Sequence, residues 1–323
     1  MADFVRIKTS ESRYGGNIYE HYLAEALKPL GSYEEINPVP QINVRWKYLG
    51  VFGFFANLWR IARRRDDRVH IRALETAFFL SPRVKNIVIA HHYDPTGSGV
   101  ATWVMQYVAY RMLLWQKKRV DRLVVVSRYW YDFFRAKGFQ NVTIIHNPFE
   151  IEAFEATAEA VADFKRRYGL EGKPIIYLGN AQRKKGVREA YEALQDMDVH
   201  LVTSGARQVR LPARHLDVPF RDYVLLLHAS DVVVTMSRFK EGWNRTAHEA
   251  MLCGTPVVGS GSGGMRELLE GGGQIVCDSF ERLASCVKQA MEDKTLGQKG
   301  YRFAVAFDKA RFVRAWQTLV EEL

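Results

Sequence analysis

At 323 residues the chain is long enough for two domains, and its composition, 47% apolar and 25% charged, is that of a globular protein and excludes a disordered or fibrous one. No apolar run reaches the ~18 residues of a spanning helix; no leader-like segment precedes Phe4, and the three cysteines lack metal-like spacing, so the expectation is a cytoplasmic protein. The net charge of +10 sits almost wholly in the front half: residues 1–150 carry 22 Lys and Arg against 13 Asp and Glu, whereas residues 151–323 carry 24 against 23.

In chain order, residues 4–8 read as a strand, Gly15-Gly16 as a loop and 18–27 as a helix. A helix is expected near 51–64, in the apolar-then-basic stretch VFGFFANLWRIARRRDDR. Its Phe and Trp positions are read as core-facing; the Arg63-Arg64-Arg65 triplet is not, since nothing in a core needs it. Strands follow at 69–71 and 87–90, the second ending in IVIAHHYDP, with His91 and His92 at its carboxyl end and Asp94 just beyond. Alternation along a strand turns one of the two histidines each way. A helix over 100–116 leads to Lys117-Lys118-Arg119, then a strand 122–126, a helix 128–137 and a strand 142–145, after which Asn147-Pro148 marks a turn.

Residues 149–167 are polar and helical, without a strand pattern, and read as a crossover between two halves. The alternation then restarts: strand 175–178, the basic loop LGNAQRKKG, helix 186–194, strand 200–202 ending near Ser204-Gly205, helix 223–229 and strand 232–234. The end is helical, with Phe312, Trp316, Leu319 and Leu323 forming one apolar stripe. Strands alternating with helices predict open, mostly parallel α/β sheets. The expected domains are 1–150 and 151–307, with helix 308–323 packing back on the first.

The segment from Glu241 to Gly264, EGWNRTAHEAMLCGTPVVGSGSGG, carries the most chemistry. It sets Glu241 in a glycine-containing turn and Glu249 eight residues later inside the apolar run 247–251. Thr255-Pro256 stops that helix, and Val257-Val258 reads as a short buried strand. A helix N-terminus near Asn244 offers N–H groups and the positive dipole end to phosphate. Carboxylates accept strong hydrogen bonds from sugar hydroxyls. This combination suits a polyhydroxyl ligand bearing a diphosphate.

The same segment resembles the E-x7-E region of family 4 glycosyltransferases, retaining enzymes of the GT-B fold. The spacing is unbroken, with Trp243 for the family's Phe and Asn244 for its Gly. The resemblance implies two Rossmann-like, doubly wound domains facing a central cleft, the last helix returning to the first domain. It implies a donor site of Gly242, Trp243, Asn244, Arg245 and Glu249, with Glu241 holding sugar hydroxyls and Glu249 the ribose. LGNAQRKKG is similar to the family's diphosphate-gripping element and puts Lys185 on the family Lys and Asn180 on the family Arg; Arg183 is the candidate replacement. Gly15 and Gly16 resemble the family's glycine loop, Ser204 edges the nucleotide pocket, and either His91 or His92 takes the place of the family histidine beside the donor sugar.

The resulting expectation is a retaining transfer of a sugar from a UDP-, GDP- or ADP-linked donor to an acceptor hydroxyl. No metal or other cofactor is called for, since Asp196-Met-Asp198 reads as a turn. The basic half suits an anionic or lipid-linked acceptor and peripheral contact with the inner membrane face. Nucleic acid is not expected, because no reading module accompanies the charge. The alternatives are a nucleotide-sugar epimerase of the same fold and a non-catalytic sugar-nucleotide-binding subunit.

Overall fold

The computed structural model describes residues 3–8, 15–40, 47–64, 67–93 and 100–323; Asp94 and Arg65 lie outside them. The chain divides into two compact units, one formed by Met1–Pro148 with Lys309–Leu323 and the other by Phe149–Asp308.

In the first unit β1 (Phe4–Ile7), β2 (Tyr33–Ile36), β3 (Val69–Ala73), β4 (Asn86–Ala90), β5 (Arg122–Val125) and β6 (Val142–Ile144) form a parallel sheet in the order β2-β1-β3-β4-β5-β6. Parallel neighbours need crossovers. Among the described residues four α-helices lie between these strands: α1 (Gly15–Leu27), α2 (Lys47–Ala62), α3 (Val100–Trp115) and α4 (Arg128–Ala136). The sheet is buried on both faces; β4 (NIVIA) and β5 (RLVV) read as near-continuous apolar runs, whereas β1 (FVRI) and β3 (VHIRA) also bury Arg6, His70 and Arg72. Val5 and Ile7 pack under Leu58 and Ile61 of α2 and Ala109 of α3. Arg6, between them in sequence, turns to the opposite face and is clamped by Glu20 of α1.

Helix α1 begins at Gly15, three residues before the sequence reading starts it, so Gly15 and Gly16 stand in its first turn rather than in a loop. The first N–H groups of a helix have no intrahelical partner, so glycine costs less there than in mid-helix. Helix α2 departs from its reading in part: Phe54 and Phe55 pack against the core beside Leu58 and Ile61, but Phe52 is 75% and Trp59 49% exposed.

In the second unit α5 (Ala158–Arg167) follows a short 3-10 turn at Ile151–Phe154, so the expected continuous crossover helix is broken. Thr157 caps α5, its Oγ1 accepting from the Ala160 N–H at 3.2 Å. The elements that follow are β7 (Ile175–Asn180), α6 (Val187–Leu194), β8 (His200–Ser204), β9 (Arg214–Leu216), α7 (Phe220–Ala229), β10 (Val232–Thr235), α8 (Arg245–Leu252) and β11 (Val257–Gly259). After them come α9 (Met265–Gly271), β12 (Ile275–Val276), α10 (Leu283–Glu292) and α11 (Leu296–Ala304). The strands pair in parallel as β12-β11-β10-β7-β8-β9. Asp198, in the turn after α6, pairs with Lys173.

The last helix, α12 (Lys309–Glu321), belongs to the first unit and packs on α1. Its Phe312 and Trp316 meet Tyr19 edge-on, at 4.9 and 6.5 Å between ring centroids.

Candidate functional site

Three segments of the second unit converge at the carboxyl ends of β7 and β10 and the start of α8. Leu178, Asn180, Lys185, Thr235, Asn244 and Thr246 are among the residues lining a narrow pocket there. In open parallel sheets this edge is where ligands bind.

The basic loop after β7 folds as a 3-10 turn over Arg183–Lys185 that ends on Gly186 in the left-handed region, φ 66°. A Cβ at Gly186 would stand 2.2 Å from the Met236 carbonyl oxygen, so only glycine lets the loop approach β10 this closely. The turn directs Lys185 Nζ to Glu241 Oε1 at 2.6 Å. Lys185 keeps about a quarter of its side chain exposed, 27%, so its ammonium has donors left for a ligand. Arg183 is exposed and takes no part in this pair.

Glu241 is buried, and its Oε1 also accepts from Ser237 Oγ and, at 3.4 Å, from Asn244 Nδ2. Its backbone is locked by the loop after β11: Glu241 N donates to Ser262 O at 3.1 Å, and Gly264 N to Glu241 O at 2.9 Å. Gly263 makes that approach feasible, since a Cβ there would be 2.6 Å from the Glu241 carbonyl oxygen.

Asn244 is the one non-glycine residue with positive φ among the described residues, at φ 57°. Asparagine tolerates this region better than other side chains. The backbone that the resemblance assigns to glycine is thus kept. Asn244 Oδ1 caps α8, accepting from the Ala247 N–H at 3.0 Å, which uses one of the helix-terminal donors internally.

One turn further along α8, Glu249 is buried. Its Oε1 pairs with Arg245 Nη2 at 3.2 Å, and its Oε2 accepts from Tyr223 OH at 2.7 Å. Burial and the neighbouring carboxylate push the Tyr223 phenol well above its ordinary pKa, so it stays a donor. The Arg245 guanidinium also lies over Phe149, 4.4 Å from the ring centroid. Each acid of the pair is therefore neutralised by its own cation.

Trp243 and Ser204 turn inward. The Trp243 indole is buried, donating from Nε1 to His248 Nδ1 at 3.0 Å, and any ligand contact it makes is through its backbone. Ser204 is buried with its Oγ 2.6 Å from Tyr177 OH and 3.4 Å from Asn180 Oδ1, which draws Asn180 into the same polar cluster. Gly242 is buried in the turn between Glu241 and Trp243.

Sequence reasoning missed Ser237 and Tyr223, the hydroxyls that hold the two acids. Ser237 lies four residues before Glu241, a spacing that signals nothing until the turn is known.

His91 and His92 belong to the first unit, directly after β4, and both are partly buried. The His91 ring meets Tyr19 edge-on at 4.7 Å. Burial, only partly offset by Glu20, lowers the His91 pKa to about 4, so the imidazole is neutral at pH 7. Gly15 and Gly16 begin the helix that carries both Tyr19 and Glu20. No helix among the described residues is long and apolar enough to cross a membrane.

The family model described as "Glycosyl transferases group 1" matches residues 172–293, and that of "Glycosyltransferase Family 4" matches residues 17–153. Spore coat protein SA of Bacillus subtilis (strain 168) is 27% identical over 195 residues, covering 50% of each chain. The 2-deoxystreptamine glucosyltransferase of Streptomyces kanamyceticus is 26% identical over 182 residues, covering 47% of this chain and 46% of that one. The chain spans about half the length of these curated relatives. Among solved structures, Anabaena HepE in complex with UDP-glucose matches over 100% of both chains with a TM-score of 0.77 and 17% identity. This likeness shows the fold, an α/β architecture of the GT-B class with two parallel six-stranded sheets.

Proposed function

The chain belongs to the group 1, family 4 glycosyltransferases, and from that premise we propose that it transfers a sugar from a nucleotide-diphosphosugar to an acceptor hydroxyl with retention at the anomeric carbon. The donor is assigned to the second unit. Lys185 holds the diphosphate, and the start of α8 adds its positive dipole end. Glu241 accepts from sugar hydroxyls, and Glu249 from the ribose.

In the transfer the bond from the anomeric carbon to the phosphate oxygen breaks, and the nucleoside diphosphate leaves with the electron pair. The acceptor oxygen bonds to the same carbon on the face the diphosphate leaves, and the acceptor's proton passes to the departing phosphate oxygen. The electrostatic task is to stabilise charge building on that phosphate. The diphosphate charge is met by side chains and a helix terminus, with no cofactor in the scheme. The acceptor, anionic or lipid-linked, is assigned to the basic first unit.

The observation that carries this reading is the 2.6 Å pair of Lys185 with Glu241 beside the pocket at the ends of β7 and β10. It sets a diphosphate cation and a hydroxyl acceptor side by side. A donor sugar takes over the Glu241 contacts while Lys185 turns its remaining donors to phosphate. Incubation with UDP-, GDP- and ADP-sugars, with NMR of the sugar released to acceptor or water, tests it. The expected anomer is the donor's own; an inverted product would overturn the retaining assignment.

A further inference from the structure

Helices α2 and α3 cover one face of the first sheet, both resting on Val5 and Ile7 through Leu58, Ile61 and Ala109. Their outer sides are apolar. On α2, Val51, Phe52 and Trp59 are exposed. On α3, Trp103, Val104, Met105, Tyr107 and Val108 are all exposed, and Trp115 at its end is 75% exposed. Trp103 and Tyr107 stack on each other in solvent, 5.6 Å apart. A helix that is apolar on its outer side as well as its inner one is covered by something.

The charges on these helices are of one sign. Residues 47–64 and 100–120 contain no Asp or Glu, whereas Arg60, Arg63, Arg111, Lys117 and Lys118 are exposed. Both helices lead into strands of one parallel sheet, so they run the same way and bring their basic carboxyl ends to the same edge. Arg63 lies over Trp59, 4.5 Å from its ring centroid, at the junction of the apolar and basic zones. Aromatic side chains beside a basic rim are the composition of an interfacial anchor. A self-complementary contact between two copies would bring two basic edges into one interface with no acidic residue on either helix to pair them.

We propose that the joint outer face of α2 and α3 docks on an anionic lipid bilayer, with Phe52, Trp59, Trp103 and Trp115 entering the headgroup region and the basic edge on acidic headgroups. The proposal goes beyond the transferase reading and does not depend on it, because it is tested with no donor present.

The full chain is sedimented with vesicles of phosphatidylcholine alone and of phosphatidylcholine mixed with phosphatidylglycerol. The expected result is partition onto the mixed vesicles at least about tenfold stronger than onto the neutral ones. Phe52→Ser, Trp103→Ser and Trp115→Ser combined should weaken that partition by about tenfold or more. Arg60→Gln, Arg63→Gln, Lys117→Gln and Lys118→Gln combined should remove the preference for phosphatidylglycerol. These side chains are exposed, so both variants should keep the parent melting temperature. Partition left unchanged by either set, or no partition at all, would overturn the proposal. So would a concentration-dependent dimer in ultracentrifugation that the Ser variant disperses while neither protein binds vesicles.

Discussion

His91 is a partly buried imidazole whose charge the fold suppresses. Its pKa falls from the ordinary 6.5 to about 4, chiefly through burial. The unfolded chain then binds the proton that the folded chain refuses, so stability is full above about pH 6.5 and is lost as pH drops towards 4. Denaturant midpoints measured between pH 7 and 4 should fall across that window. His91→Gln should flatten the fall there. Glu20, held below its usual range against burial by Arg6, gives up its share only below about pH 4.5, so the two contributions separate along the pH axis. An unchanged profile in His91→Gln would contradict the neutral assignment. At this scale the charge count was partly misleading: Arg6 and Arg72 are buried in β1 and β3 and serve the fold, not a partner.

At the scale of elements, the loops of the proposed donor site depend on two backbone positions. Gly186 ends the Lys185 turn at positive φ against the Met236 carbonyl, and Gly263 lies against the Glu241 backbone. Gly186→Ala would combine a strained φ with a clash on backbone that has no room to retreat. It should cost about 2 kcal/mol or more of stability, measured by urea unfolding, and should displace Lys185. A change under about 0.5 kcal/mol would show that the loop relaxes freely.

The elements also show what the residues could reveal beforehand. Strands such as β4, β7 and β10 were legible because burial on both faces writes a nearly unbroken apolar run. Strands β2, β9 and β12 were not, and all three are edge strands. The β2 sequence, Tyr-Glu-Glu-Ile, is half-exposed and its glutamates face solvent; edges favour such charges because they discourage pairing with other chains. In the site, Glu241 and Glu249 stood out by their places in a glycine turn and an apolar run, and Lys185 by the resemblance of its loop to the family's diphosphate element. The inward turn of Trp243 did not, because it depends on His248 and Phe307, the latter 64 residues further along. The apolar run of α2 marks its phenylalanines and tryptophan alike as core, and only the packed helix separates Phe54 and Phe55, which join Leu58 and Ile61 there, from Phe52 and Trp59, which do not.

For the whole molecule, donor binding is proposed for the second unit and lipid contact for the first. Each rests on its own geometry and fails independently. Donor recognition is the central claim, and its energetic core is the Lys185 contact. A charge-assisted hydrogen bond is worth about 1.5–3 kcal/mol, so Lys185→Ala should slow transfer by roughly ten- to a few hundredfold. The most direct measurement is the melting temperature of the full chain across UDP-, GDP- and ADP-sugars, for the parent and for Lys185→Ala. A ligand that binds only the folded state raises it according to its excess over Kd. At least one of these donors should raise the melting temperature of the parent, and Lys185→Ala should lose most of the rise. No rise with any of the three, or an equal rise in both proteins, would contradict the central claim.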